Sequence, residues 1–212
     1  TQINQLIFMK KTVYFFKTSY DNNEIKAFTK LVRNGNFSMG EATINFEKAI
    51  AKKLNIKDEN VALVSNCTTA LHLSMIVVGV KKKHDVLCSS LTFVADANCV
   101  KYVGAKPKFI DITSDLNWNM SVSDIEKKIT KNTKAIIMTH YAGYPCEITK
   151  IKKIAKQNKL IVIEDACHTI FSKYKNKYLG TYGDLGVFSL YGNKNITTGE
   201  GGIVIGKKEY IK

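Results

Sequence analysis

Short apolar, β-branched runs recur along this chain, at 61–65, 85–90, 107–112, 135–139 and 159–163, and stretches of helical periodicity separate them. Runs of that length and composition read as buried strands, and the 3.6-residue spacing between them reads as helices. Helices are expected at 23–32 (capped by Asp21 or Asn22 and ended by Gly35), at 41–54, from Asn66 through 78, at 95–103, at 122–129 and at 147–157. The second should turn Ile44, Phe46, Ala49, Ile50 and Leu54 to one side, and the last should turn Ile148, Ile151, Ile154 and Ala155 inward. Ser121 or Ser123 caps the fifth. About four strand–helix repeats predict an α/β fold with a mainly parallel central sheet, covered by helices on both faces. The polar, glycine-bearing stretch 174–184 reads as a hairpin or long turn, and further strands are expected at 186–190 and 203–205.

The chain has 212 residues, enough for one sizeable domain. Residues 1–20 read as an N-terminal extension and 21–212 as the domain. The chain starts with Thr1, so it is expected to be processed, tagged or incomplete there, with Met9 a candidate natural start. Lys17 interrupts the first apolar run too early for a signal peptide. No stretch approaches the length of a membrane helix.

The formal net charge is +14, yet only Arg33 among 32 basic residues is arginine, and no lysine run exceeds 81–83. A basic tail is missing, and base readout leans on arginine forks, so a nucleic-acid partner is not expected. The field favours anionic substrates. The five cysteines include no C-x-x-C, and the four histidines show no metal-ligand spacing. A disulfide framework or metal site is therefore not expected, and a reducing, cytoplasmic compartment is. No G-x-G-x-x-G follows the first strand, which argues against a dinucleotide-binding reading.

Three segments carry chemistry. In F-S-L-Y-G-N-K-N-I-T-T-G-E-G-G (188–202), Lys194 lies between an apolar strand and a turn holding Gly199, Gly201 and Gly202. A lysine so held can form a Schiff base with an aldehyde cofactor; it can equally be one more exposed lysine. Asp165 follows the run 159–163, at a strand's carboxyl end where α/β ligands collect. A carboxylate there can keep a pyridinium nitrogen protonated, the condition for pyridoxal phosphate to act as an electron sink, or it can simply cap a helix. Asn66-Cys67-Thr68-Thr69 opens a helix after the first strand. Free N–H groups make such a start either a phosphate site or an ordinary N-cap.

Together with E-D-A-C-H (164–168) and S-N-C-T-T-A-L-H-L (65–73), the lysine segment resembles the DegT/StrS-type sugar aminotransferases. These are pyridoxal-phosphate enzymes acting on nucleotide-linked keto sugars, and the similarity runs from about Gly35 to Ile205. The resemblance implies the large domain of a fold-type-I transferase, with the family's small C-terminal domain absent from this chain. It implies pyridoxal 5'-phosphate held on Lys194, which then acts as base, and Asp165 facing the ring nitrogen. It places His168 beside the ring oxygen, though a capped or buried histidine is the other reading, and Phe93 stacked on the ring. Thr68, Ser189 and the backbone of Cys67, where the family usually has glycine, would contact the phosphate. His140 is expected to be a hydrogen-bonded loop residue rather than a group lining the site.

Further implications are an amino-acid donor (glutamate), a homodimer, and a role in cell-surface polysaccharide or related sugar biosynthesis. The lysine segment is closest to perosamine-synthase-like members, which aminate a 4-keto-6-deoxy sugar. Lysine at 194, rather than histidine, separates it from the dehydratase branch. The competing reading is a truncated cofactor domain that folds or associates without turnover.

Overall fold

A computed structural model describes residues 14, 16–36 and 38–211. The expected start at Met9 lies outside the described residues. Helix α1 (Asn22–Arg33) and helix α2 (Glu41–Leu54) precede strand β1 (Val61–Val64) and α3 (Cys67–Val77). Then come β2 (Asp85–Ser89), α4 (Ala95–Tyr102), β3 (Lys106–Ile110) and a hairpin of β4 (Ile112–Ser114) and β5 (Asn117–Met120). They lead to α5 (Val122–Lys128), β6 (Thr133–Thr139), α6 (Ile148–Gln157) and β7 (Ile161–Asp165). A small hairpin, β8 (Lys173–Tyr174) with β9 (Lys177–Tyr178), is followed by β10 (Leu185–Ser189), β11 (Gly202–Gly206) and α7 (Lys208–Ile211).

Seven strands form the central sheet in the order β1-β11-β10-β7-β6-β2-β3. From β10 to β3 every neighbouring pair is parallel. β11 runs against both β10 and β1. A direct return from β10 through the lysine loop permits only antiparallel pairing, whereas parallel neighbours need a crossover. Alternate residues go to opposite faces. Cys88, Ile137, Ile163 and Val187 meet Leu71 and Met75 of α3 and Val100 of α4. Leu87, Ile136, Met138 and Val162 meet Ile125 of α5 and the expected inward set of α6. Phe188, Ile203 and Ile205 meet Ile50, Ala51 and Leu54 of α2. Burial on both faces is why these strands are apolar runs without alternation. Among the described residues no helix is long and apolar enough to cross a membrane.

Three expectations shift. The run 107–112 breaks at Asp111, because Asp124 Oδ2 accepts the Asp111 N–H (2.8 Å) and Asp111 Oδ1 accepts the Ile112 N–H (2.8 Å). Side-chain acceptors thus replace the ladder, and the chain turns into the β4–β5 hairpin. Lys159 has a left-handed φ of 55°, so β7 starts two residues later and carries Asp165 as its last residue. On α2 Ile50, Ala51 and Leu54 are buried and Phe46 is half-buried against the same cluster, while Ile44 and Ala49 stay exposed.

Phe188 is the largest fully buried side chain and fills the space over Gly180, where a Cβ would lie 2.3 Å from the ring. Phe188→Ala is expected to cost about 3–5 kcal/mol, the usual range for emptying such a site. It should appear as a lower urea midpoint at unchanged slope.

Candidate active site

The carboxyl ends of β6, β7 and β10 open into a cavity of about 840 Å³. That is where a parallel sheet offers its ligand crevice. All seven residues singled out in the sequence line it: Cys67, Thr68, Phe93, Asp165, His168, Ser189 and Lys194. Register sets the floor, since Asp165 pairs with Thr139 on one side and Val187 on the other.

The N-terminus of α3 forms one wall. Asn66 is its cap, with Oδ1 accepting the Thr69 N–H at 2.9 Å. The N–H groups of Cys67 and Thr68 belong to the first turn, which has no helical carbonyl to receive them. β11 presses against this turn at Gly202, where a Cβ would fall 2.5 Å from the Asn66 carbonyl carbon and 2.7 Å from the Cys67 nitrogen. Ser189, nearly buried at the end of β10, accepts the Tyr191 N–H at 3.3 Å.

Lys194 sits half-buried on the β10–β11 loop. Its N–H donates to Tyr191 O (2.9 Å), Thr198 N–H to Leu190 O (3.1 Å), and Leu190 N–H to Gly201 O (2.9 Å). Thr18 Oγ1 ties Gly192 O from outside at 3.1 Å. These bonds hold the backbone of the loop to the sheet. Asp165 is fixed by its own turn, Oδ1 accepting the Cys167 N–H at 2.9 Å. Phe93 is 72 % exposed at the mouth, free to lie against a flat ligand.

His168 stands at the rim, edge-on to Tyr141 with centroids 6.3 Å apart. Partial burial and then the Lys194 charge push its imidazole below the usual range, with Asp165 partly opposing. The unfolded chain, at about 6.5, therefore takes up this proton first. The resulting stability is present above pH 6.5 and is lost as pH falls toward the folded-state value. His84, lowered by burial and by Lys83, acts with the same sign. His168→Gln is expected to flatten, not abolish, the rise of thermal midpoint with pH through this window.

His140 is fully buried and hydrogen-bonded, as expected, yet it also lines the cavity. Its Nδ1 accepts the Cys146 N–H at 3.2 Å, so the ring proton is on Nε2 and is donated to Glu164 Oε2 at 3.0 Å. Glu164 also accepts N–H bonds from Gly180 (2.9 Å) and Gly183. It ties the end of β7 to the turn before β10. Sequence reasoning passed over this residue, although a glutamate inside an apolar strand was a visible signal.

Two other features escaped it. Asp96, fully buried in the first turn of α4, accepts hydrogen bonds on Oδ2 from Thr92 Oγ1 (2.6 Å) and Thr139 Oγ1 (2.6 Å). Cys67 Sγ and Cys167 Sγ lie 2.9 Å apart, and with the Asp165 carboxylate they fall within 4.8 Å of one another. The bond from Cys167 draws the Cys67 thiol down, but burial and Asp165 outweigh it, and the net shift is upward. Cys167 is pushed up by its partner, by burial and by Asp165. Both sulfurs are thiols at neutral pH.

An aspartate at a strand end, a lysine on the return loop and a helix N-terminus around one crevice define the large domain of a fold-type-I transferase. The chain belongs to the DegT/DnrJ/EryC1/StrS aminotransferase family, whose sequence profile matches residues 18–212. It is 45% identical to the GDP-perosamine synthase of Escherichia coli O157:H7 over 168 residues, 79% of this chain and 45% of that protein. The aminotransferase TlmJ from Streptoalloteichus hindustanus superposes with a TM-score of 0.89 at 29% identity, covering 94% of this chain and 55% of TlmJ. Helicobacter pylori PseC, an aminotransferase of pseudoaminic acid biosynthesis, does so with 0.83 at 28% identity, covering 91% and 52%. The chain spans about half the length of the curated relatives it matches.

Proposed function

We propose that this chain is the cofactor domain of an aminotransferase that uses pyridoxal 5'-phosphate to move an amino group from an amino acid, glutamate, to a nucleotide-linked keto-deoxy sugar. The observation that carries this reading is the meeting of Lys194 and Asp165 in one cavity with the open N-terminus of α3. The donor set fits the cofactor: hydroxyls and N–H groups for a phosphate, an acid for a ring nitrogen and an amine for an aldehyde. The cavity is of ordinary ligand size. When bound, pyridoxal phosphate supplies an electron sink for the carbanion at the substrate carbon.

The residues divide the remaining work. Thr68 and Ser189 hydroxyls and the N–H groups of Cys67 and Thr68 receive the phosphate, with the α3 dipole behind them. Asp165 holds a proton at the ring nitrogen. His168, neutral above its lowered titration range, meets the ring oxygen as hydrogen-bond partner. Phe93 covers the ring and excludes water. Lys194 Nζ anchors the cofactor and then moves the proton to and from the substrate carbon. The net charge of +14 favours an anionic nucleotide sugar.

The likeness to perosamine synthases makes a GDP-linked 4-keto-6-deoxy sugar the proposed acceptor and polysaccharide or related sugar synthesis the proposed setting. Residues 21–212 are proposed as the cofactor domain, with 1–20 preceding it. A homodimer in the cytoplasm is proposed with it; the five free cysteines suit a reducing compartment.

The test is titration of the purified 212-residue chain with pyridoxal phosphate, followed by dialysis, absorbance, and incubation with glutamate and the keto sugar. Retained yellow colour and a glutamate-dependent amino sugar are the expected results. A protein that takes up no cofactor sinks the proposal, and colour without product supports the non-catalytic reading.

A further inference from the structure

Asp96 has a carboxyl group with one oxygen too many for its donors. Both threonine hydroxyls bond Oδ2, and Oδ1 is buried with no hydrogen-bond donor among the described residues. Thr139, whose hydroxyl bonds Asp96, is paired in register with Asp165, which brings the two carboxyls to the same face of the sheet as neighbours. Two carboxylates in contact repel, and neither can donate to the other unless a proton is present. One of the pair must therefore carry a proton.

The surroundings decide which. Asp165 accepts a backbone N–H and faces the cavity that Lys194 also lines. Asp96 lies deeper, and three thiols feel its charge: Cys88 of β2, Cys99 of α4 and Cys67 of α3. Burial and the Asp165 charge push the Asp96 carboxyl well above the usual range, and the threonine bonds only partly oppose them. Burial also pushes the Cys88 thiol up to about 12, so no thiolate competes for the charge.

We propose that Asp96 is a positioning residue: kept as the neutral acid, it donates a proton on Oδ1 to the Asp165 carboxylate and holds that carboxylate charged and aimed into the cavity. Its consequence for the ring nitrogen rests on the cofactor reading; the protonated pair itself does not. The arrangement follows the general rule that neighbouring carboxyls in unlike environments separate into one acid and one anion. In the sequence V-A-D-A-N nothing local marks Asp96 as buried.

The first experiment needs no cofactor. Infrared spectra of wild type and D96N at pH 7 in light and heavy water should differ by one protonated-carboxyl band, sensitive to deuteration and missing from D96N. Lack of that band in wild type overturns the proposal. The second compares pyridoxal phosphate affinity and thermal midpoint. D96N keeps a permanently neutral donor and should bind within about threefold of wild type, whereas D96A should bind about tenfold or more weakly, the usual effect of losing a hydrogen bond to a charged group. The pH at which the bound cofactor's spectrum titrates should move in D96A and not in D96N, a change a purely structural role would not produce. If D96A does not fold, D96S serves as the weaker donor and should fall between the two. Equal weakening in D96N and D96A overturns the proposal, because Asp96 would then act as an anion. The band in a protein that takes up no cofactor supports the carboxyl pair and removes the cofactor reading instead.

Discussion

Lys194→Ala is expected to leave a folded protein that no longer holds pyridoxal phosphate through dialysis. Turnover should fall by about 10³–10⁴-fold or more, since the change removes a covalent anchor and a general base at once. The fold should tolerate it. The loop is held by backbone and threonine bonds, including Lys194 N–H to Tyr191 O, and none of these needs the side chain. The midpoint of unfolding should therefore move by no more than about 0.5 kcal/mol equivalent, as for other substitutions away from the core. The measurement with most power is borohydride reduction of the loaded protein followed by peptide mass spectrometry. Wild type should carry the label on the peptide containing Lys194, and the variant should carry none there. In so lysine-rich a chain, a label of undiminished yield on some other lysine of wild type would reject the assignment outright.

That lysine stands out as the candidate because its setting is local. An apolar strand, a polar loop and a glycine turn lie within 188–202, and the fold adds only the direction of return. The strands were legible for a related reason: a strand buried on both faces has no room for polar residues, so β2, β6, β7 and β10 stand out as runs. What escaped is what depends on distant partners. β5, N-W-N-M, has too little apolar character to mark a strand and exists because β4 pairs with it. The exposed first turns of α2 carry the same periodicity as its buried ones, and only packing separates Ile44 from Ile50. Cys67 and Cys167 touch across 100 residues of sequence. Asp96 and Glu164 are buried because the sheet and its helices close over them. Buried carboxyls are inherently hard to read from a sequence, because their burial is a property of other residues.

Asp165→Asn separates charge from shape at the same place. Asparagine keeps the oxygen that accepts the Cys167 N–H, so the turn after β7 should survive. What goes is the negative charge, and with it the means of keeping a ring nitrogen protonated. Turnover is expected to fall by about 10²–10³-fold, the scale for removing one preorganised electrostatic group, while Lys194 still retains the cofactor. Stability should change much less. The Asp165 charge is the second cause holding the Asp96 carboxyl up, and it also raises the Cys67 and Cys167 thiols. The thiols are neutral at pH 7 with or without it, so what is lost is the charged acceptor of the Asp96 proton, and the thermal midpoint at pH 7 should fall by no more than about 1–3 kcal/mol equivalent. A variant with wild-type turnover would show that the carboxylate has no part in the chemistry. One that no longer folds would show that Asp165 holds the fold together, and the strand-end acid would then be structural.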